Sequence, residues 1–246
     1  MKFYIDTEFT EGTQKEKFPI SLFRKNTLPT IDLISIGIIS EDNRKYYSIS
    51  KDFNLKEAWN RYQTNIVAVG KKEYRQKIYW IRENVLMPIF VELCDIDGID
   101  GSHFTYGLMK RLINKYGKTN EQIAKEIIDF CNPPHIDLIV QNKDESQSVI
   151  SGKTPIEFYA YYADYDWVVF CQLFGKMIDL PNGFPKYCND LKQLLESKRI
   201  IYGNETPNRY WVKLEEHSQY PKQENKHNAL SDARWNKKLY EFLQKL

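Results

Sequence analysis

The chain has 246 residues, 42% hydrophobic and 28% charged, with a formal net charge of +2. That length supports one sizeable core, the proportions exclude a disordered or fibrous chain, and the small charge excludes a protein that coats nucleic acid by bulk electrostatics. No apolar run approaches the roughly 20 residues that cross a bilayer, and Met1 leads directly into a strand-like stretch, so a single cytoplasmic domain over 1–246 with no membrane partner is expected.

Lys2 to Asp6 reads as a short strand. Ile31 to Ser40 reads as a longer one, rich in Ile and closed by the polar turn Glu41-Asp42-Asn43. Arg44 to Ser50 alternates well enough to pair back, which predicts an antiparallel meander of three strands. The stretch from Glu11 to Thr30, rich in Lys, Thr and Pro, is long for a hairpin connection and reads as a functional flap.

Helices are predicted over Leu55 to Gln63, Tyr79 to Phe90, Tyr106 to Tyr116 and Glu121 to Cys131, the last capped by Thr119 or Asn120. Lys71 to Lys77 and Lys110 to Lys118 mix basic groups with Tyr or apolar residues, a combination that holds a phosphate backbone and stacks a base. A solvated helix face is the commoner reading of each.

Asn132-Pro-Pro-His135 ends the helical run, and Ile136 to Val140 is a candidate strand before the polar segment Gln141 to Thr154. Ile156 to Tyr162 reads as a strand by its aromatic and β-branched content and feeds a helix from Tyr165 to Phe174, stopped by Gly175. The tail is expected to hold a helix near Asn189 to Lys198, a basic and aromatic loop through Tyr220, and an amphipathic helix from Ala229 to Gln244. A meander followed by β-α units fits an α/β fold with an RNase H-like mixed sheet flanked by helices, its first three strands antiparallel and the later ones parallel.

Cys94, Cys131, Cys171 and Cys188 form no CxxC pair, which argues against a disulfide framework or a zinc ribbon. Cys94, His103, Cys131 and His135 have no finger-like spacing either, so they are read as separate packing residues.

Three short elements carry chemistry. Asp6-Thr7-Glu8 puts two carboxylates on one face of a strand, where they repel unless a divalent cation neutralises them; hard oxygen donors select Mg²⁺ or Mn²⁺. Asp164-Tyr165-Asp166 lies where a strand gives way to a helix, with Asp164 placed as the cap and Asp166 as the ligand candidate. His227-Asn-Ala-Leu-Ser-Asp232 opens the last helix. Each alone is commonplace, but their order is not.

A DxE near the N-terminus, a strand-to-helix Asp and a late HxxxxD resemble the pattern of the DEDDh 3′→5′ exonucleases. Asp6 to Phe9, Leu33 to Ile38, Tyr46 to Ser50, Tyr165 to Val168, Cys171 to Gly175 and His227 to Arg234 are similar in particular to the RNase AS exoribonucleases, whose members favour adenylate-containing RNA. Against that family, the stretches near 11–30, 87–153 and 200–226 look like insertions.

The resemblance implies two Mg²⁺ or Mn²⁺ ions held by Asp6, Glu8, Asp166 and Asp232. Asp6 would bridge them, and His227 would act as general base on water. The implied partner is single-stranded RNA, shortened from its 3′ end to nucleoside 5′-monophosphates, and a homodimer is the implied assembly. Phe9 and Thr10 would then pack on the terminal base or sugar, with Phe9 equally readable as core, and Arg209 and Trp211 would grip the strand, although a stabilised long loop is the commoner reading of them. The alternatives are a DNA 3′→5′ exonuclease built on the same constellation and a nucleic-acid-binding protein with an inactive nuclease fold.

Overall fold

A computed structural model of the protein describes residues 1–12, 30–69, 72–132, 135–141, 147–204 and 213–246. The expected flap falls largely on 13–29, and Arg209 and Trp211 on 205–212, so these readings lie outside the described residues.

The chain opens with β1 (Lys2–Gly12), β2 (Thr30–Ser40) and β3 (Lys45–Ile49), followed by α1 (Leu55–Asn60) and the strand pair β4 (Gln63–Val69) and β5 (Lys72–Ile78). Helices α2 (Met87–Asp97), α3 (Tyr106–Tyr116) and α4 (Asn120–Phe130) come next, then a second strand pair, β6 (His135–Gln141) and β7 (Gln147–Lys153). The C-terminal part contains β8 (Glu157–Ala160), α5 (Ala163–Gln172), β9 (Asn189–Asp190), α6 (Leu191–Asn204) and α7 (Ala229–Leu243).

The main sheet has the order β3-β2-β1-β8-β9. β1 and β2 are antiparallel, as are β2 and β3, whereas β8 runs parallel to β1 and β9 parallel to β8. The expected mixed sheet is therefore present, with its antiparallel meander first. Alternation along β1 sorts its side chains between two layers. Phe3 and Ile5 join Ile123 and Ile127 of α4 and Val169 and Phe170 of α5 in one core, while Tyr4 packs with Leu191 and Leu195 of α6 and Leu239 and Phe242 of α7 in another. A third cluster gathers α1, α2 and α3 against Ile34 and Ile49.

Local chemistry explains most of the boundaries. Thr119 and Gln122 form a reciprocal capping box that starts α4, and Thr105 caps α3. α2 continues seven residues past the expected end at Phe90, to Asp97, because the left-handed Gly98 is its first stop signal.

Several expectations are corrected. Residues 72–78 form a strand rather than a helix face, because Ile66-Val67-Ala68-Val69 is a strand-forming run that needs a partner and pairs from Gln63↔Ile78 to Val69↔Lys72. Part of the polar segment after Gln141 is likewise a strand, β7, paired with β6. Asp164 is not the cap of α5: that position is Tyr162, with φ +58°, and Asp164 is exposed in the first turn. His103, expected to pack, is exposed beside Ser102, whereas Cys94 and Cys131 pack as separate residues in different cores. Among the described residues, no helix is long and apolar enough to cross a membrane.

Candidate active site

Asp6 and Glu8 leave β1 on the face that also carries Tyr4, the face covered by α7. The carboxylate oxygens of Asp6, Glu8 and Asp232 lie within 4.8 Å of one another, and theirs is the one metal-competent group of acidic, His or Cys side chains among the described residues. Thr7 faces the other way and reaches α5. Its amide and hydroxyl both donate to Asp166 Oδ1, at 2.8 and 2.6 Å. One strand segment thus presents two acids directly and anchors a third through the residue between them.

Asp232 is brought to this point by the seating of α7. Gly37 on β2 pairs with Asp6, and a Cβ there would lie 2.3 Å from the Ala229 carbonyl oxygen, so the first turn of α7 sits against bare backbone. Further along the helix, Asn236 Nδ2 donates to the Ile5 carbonyl at 2.8 Å, tying α7 to β1 next to Asp6. Asp232 itself accepts from the His227 amide at 2.8 Å and from Gln223 Nε2 at 2.7 Å.

Two non-glycine residues with positive φ introduce the acid-bearing helices. Tyr162 (φ +58°) precedes α5, and His227 (φ +65°) stands one residue before Asn228, the cap of α7. Left-handed backbone at a residue with a Cβ costs on the order of 1–3 kcal/mol and persists where its surroundings enforce it.

The electrostatics are those of crowded, buried acids. Burial, followed by repulsion from Asp166, Glu8 and Asp232, holds Asp6 well above the usual carboxylate range. Burial and then the charges of Asp232 and Asp166 push Glu8 up to about 8. Asp166 rises to about 7 through burial, opposed by its two Thr7 hydrogen bonds, and Asp232 is raised mainly by burial. Desolvated like charges on one spot favour either protons or cations there.

These acids open into a cleft of about 570 Å³. Phe9 and Tyr165 both line it and stack on each other, with centroids 5.8 Å apart and planes 10° from parallel; Phe9 is half-buried and also touches the core. Thr10 is 1% exposed and does not line the cleft. Trp80 meets the His227 ring edge-on at 4.8 Å. Sequence reading missed Thr7, Gln223 and Trp80. Thr7 was signalled only by standing between two acids, and nothing local marks the other two.

Residues 109–244 match the family described as the 3'-5' exoribonuclease Rv2179c-like domain. The chain belongs to this family. The matched span carries Asp166, His227 and Asp232, whereas Asp6 and Glu8 precede it. The chain is also similar to the 3'-5' exoribonuclease Rv2179c of Mycobacterium tuberculosis strain ATCC 25618 / H37Rv and to 3'-5' exoribonuclease MT2234.1 of strain CDC 1551 / Oshkosh. Each is 24% identical over 198 residues, covering 80% of this chain and 76% of the relative.

Proposed function

We propose that the protein is a metal-dependent 3′→5′ exoribonuclease of the DEDDh type, with an RNase H-like fold, that releases nucleoside 5′-monophosphates from single-stranded RNA. The observation that carries this reading is the convergence of Asp6, Glu8 and Asp232 within 4.8 Å, beside Asp166, in a cleft bordered by His227. Membership of the exoribonuclease family supports the polymer and the polarity.

The donor set fits a hard divalent cation: it is all carboxylate, buried and mutually repelling. Asp6, Glu8 and Asp232 would hold one Mg²⁺ or Mn²⁺ and Asp6 with Asp166 a second, and when bound such ions neutralise the acids and stabilise charge on the phosphodiester. The chain's own residues do the remaining work. An imidazole nitrogen of His227 takes a proton from the attacking water, whose oxygen bonds to the last phosphorus while the bond to the preceding 3′ oxygen breaks and that oxygen takes up a proton. Thr7 holds Asp166 in place, the His227 amide and Gln223 hold Asp232, and the stacked Phe9 and Tyr165 offer a surface for the terminal base.

The test uses 5′-labelled single-stranded RNA and DNA of one sequence, with Mg²⁺ and then with EDTA. Stepwise shortening of RNA that EDTA stops and Mg²⁺ or Mn²⁺ restores is expected, faster on adenylate 3′ ends, a preference that rests on the RNase AS resemblance. Full activity in chelator would sink the metal reading, and equal or faster cleavage of DNA would move the substrate.

A further inference from the structure

The strand pair β4–β5 is not used by the chemistry above. It hydrogen-bonds to no other strand among the described residues, yet Gln63 and Ile78 at its base line the catalytic cleft. Side chains two apart on a strand share a face, so Arg75 and Lys77 stand together. Both are exposed, and neither has an ion-pair partner among the described residues. Lys77 Nζ lies 4.2 Å from the ring centroid of Tyr62, which is 47% exposed and is itself a cleft residue.

The other basic run behaves differently. On and after α3, Arg111 and Lys115 pair with Asp97, and Lys118 pairs with Glu126. Those three cations share two carboxylates, whereas the ones on β5 face none among the described residues and are available to a phosphate.

A polyanion entering a cleft floored by acids gains nothing from them until cations are bound, so its affinity has to come from neighbouring surface. We propose that the Tyr62, Lys77 and Arg75 face of β4–β5 is the binding track for the part of a single-stranded RNA that lies upstream of its 3′-terminal nucleotide. The two cations hold successive backbone phosphates and the Tyr62 ring stacks on a base, the combination by which single strands are gripped without regard to sequence. The track lies on the face of β5 opposite to Ile78 and meets the cleft at Tyr62, from which the 3′ end passes to the acids. This inference rests on the exoribonuclease reading for its substrate, but its test separates the two.

Binding of 5′-fluorescein RNA is measured by anisotropy in EDTA, where no cleavage is needed, with a dinucleotide and with chains of about eight nucleotides. The full-length protein is expected to bind the longer chain more tightly. The double variant Arg75→Ala/Lys77→Ala should weaken octanucleotide binding at least tenfold more than dinucleotide binding. Its slope of log affinity against log salt should flatten by about 1.4, since each phosphate contact on a single strand contributes about 0.7. A charge-matched control, Lys110→Ala/Lys125→Ala on exposed helix faces, should keep the length dependence. No length dependence in the wild type, equal losses on both RNAs, or an unchanged octanucleotide affinity in the β5 variant would overturn the track. Failure of the wild type to shorten RNA in Mg²⁺ would overturn the exoribonuclease reading instead, while the anisotropy result still decides the track.

Discussion

On one side of the cleft, Asp6, Glu8, Asp166 and Asp232 are held by a five-stranded sheet with helices on both faces, and three of them are less than a tenth exposed. On the other side, Tyr62, Lys77 and Trp80 stand on or beside a two-stranded hairpin whose described side chains are mostly exposed. Burial makes charge expensive, so the acidic wall has to be positioned by packed backbone and, in the function proposed above, completed by cations. Exposure leaves charge cheap and adjustable, which suits a surface along which a polymer slides by one nucleotide at a time. On the two proposals above, the walls divide geometry from grip.

Removing the centre of the acidic wall should have the largest effect. Asp6→Ala is expected to abolish turnover and to lose metal binding, read by isothermal titration with Mn²⁺; retained metal binding would remove Asp6 from the shared position proposed for it. His227→Ala should slow cleavage by roughly 10²–10⁴-fold while leaving metal and RNA affinity near normal, because the base acts mainly in the transition state. Wild-type turnover in that variant would assign the proton transfer to another group.

Gly37→Ala tests how tightly the acidic wall is packed. The new Cβ cannot share space with the Ala229 carbonyl, so α7 has to move, at a cost of about 1–3 kcal/mol in stability by urea unfolding and with a fall in kcat. An equally stable, fully active variant would show that α7 tolerates displacement and that Asp232 is not held as closely as described.

The last expected effect is a pH slope. Glu8 at about 8 and Asp166 at about 7 lie above their ordinary 4.5 and 3.8, so between those limits the folded state binds more protons than the unfolded chain, and stability falls as pH rises. The melting temperature of metal-free protein should therefore drop from pH 5 to pH 8, and added Mg²⁺ should raise it more at pH 8 than at pH 5. Glu8→Gln should flatten the slope, whereas a wild-type slope in that variant would place the titration elsewhere.

Much of the acidic wall is legible from local pattern. Alternation puts Asp6 and Glu8 on one face of a strand, an Ile-rich stretch marks β2, and Thr119 marks the start of α4, because these effects act within a few residues. The convergence of the acids was foreseen through resemblance rather than derived, since no rule of spacing joins position 6 to position 232.

Tertiary structure alone decided the rest. Gly37 reads as one more residue of an Ile-rich strand until α7 is seen pressed against it opposite Asp6. Asp164 has the better capping side chain, yet Tyr162 takes the cap position in a left-handed backbone, a choice set by how β8 and α5 join beside the packed core rather than by side-chain preference. The basic run Lys71 to Lys77 resembles a solvated helix face because its sequence lacks strong periodicity, and its described part is a strand only because Ile66 to Val69 lies opposite. Trp80 and His227, far apart in the chain, meet edge to face. Propensity and capping are short-range and can be read along the chain, whereas close approach, enforced strain and the pairing of distant side chains depend on which surfaces the core brings together.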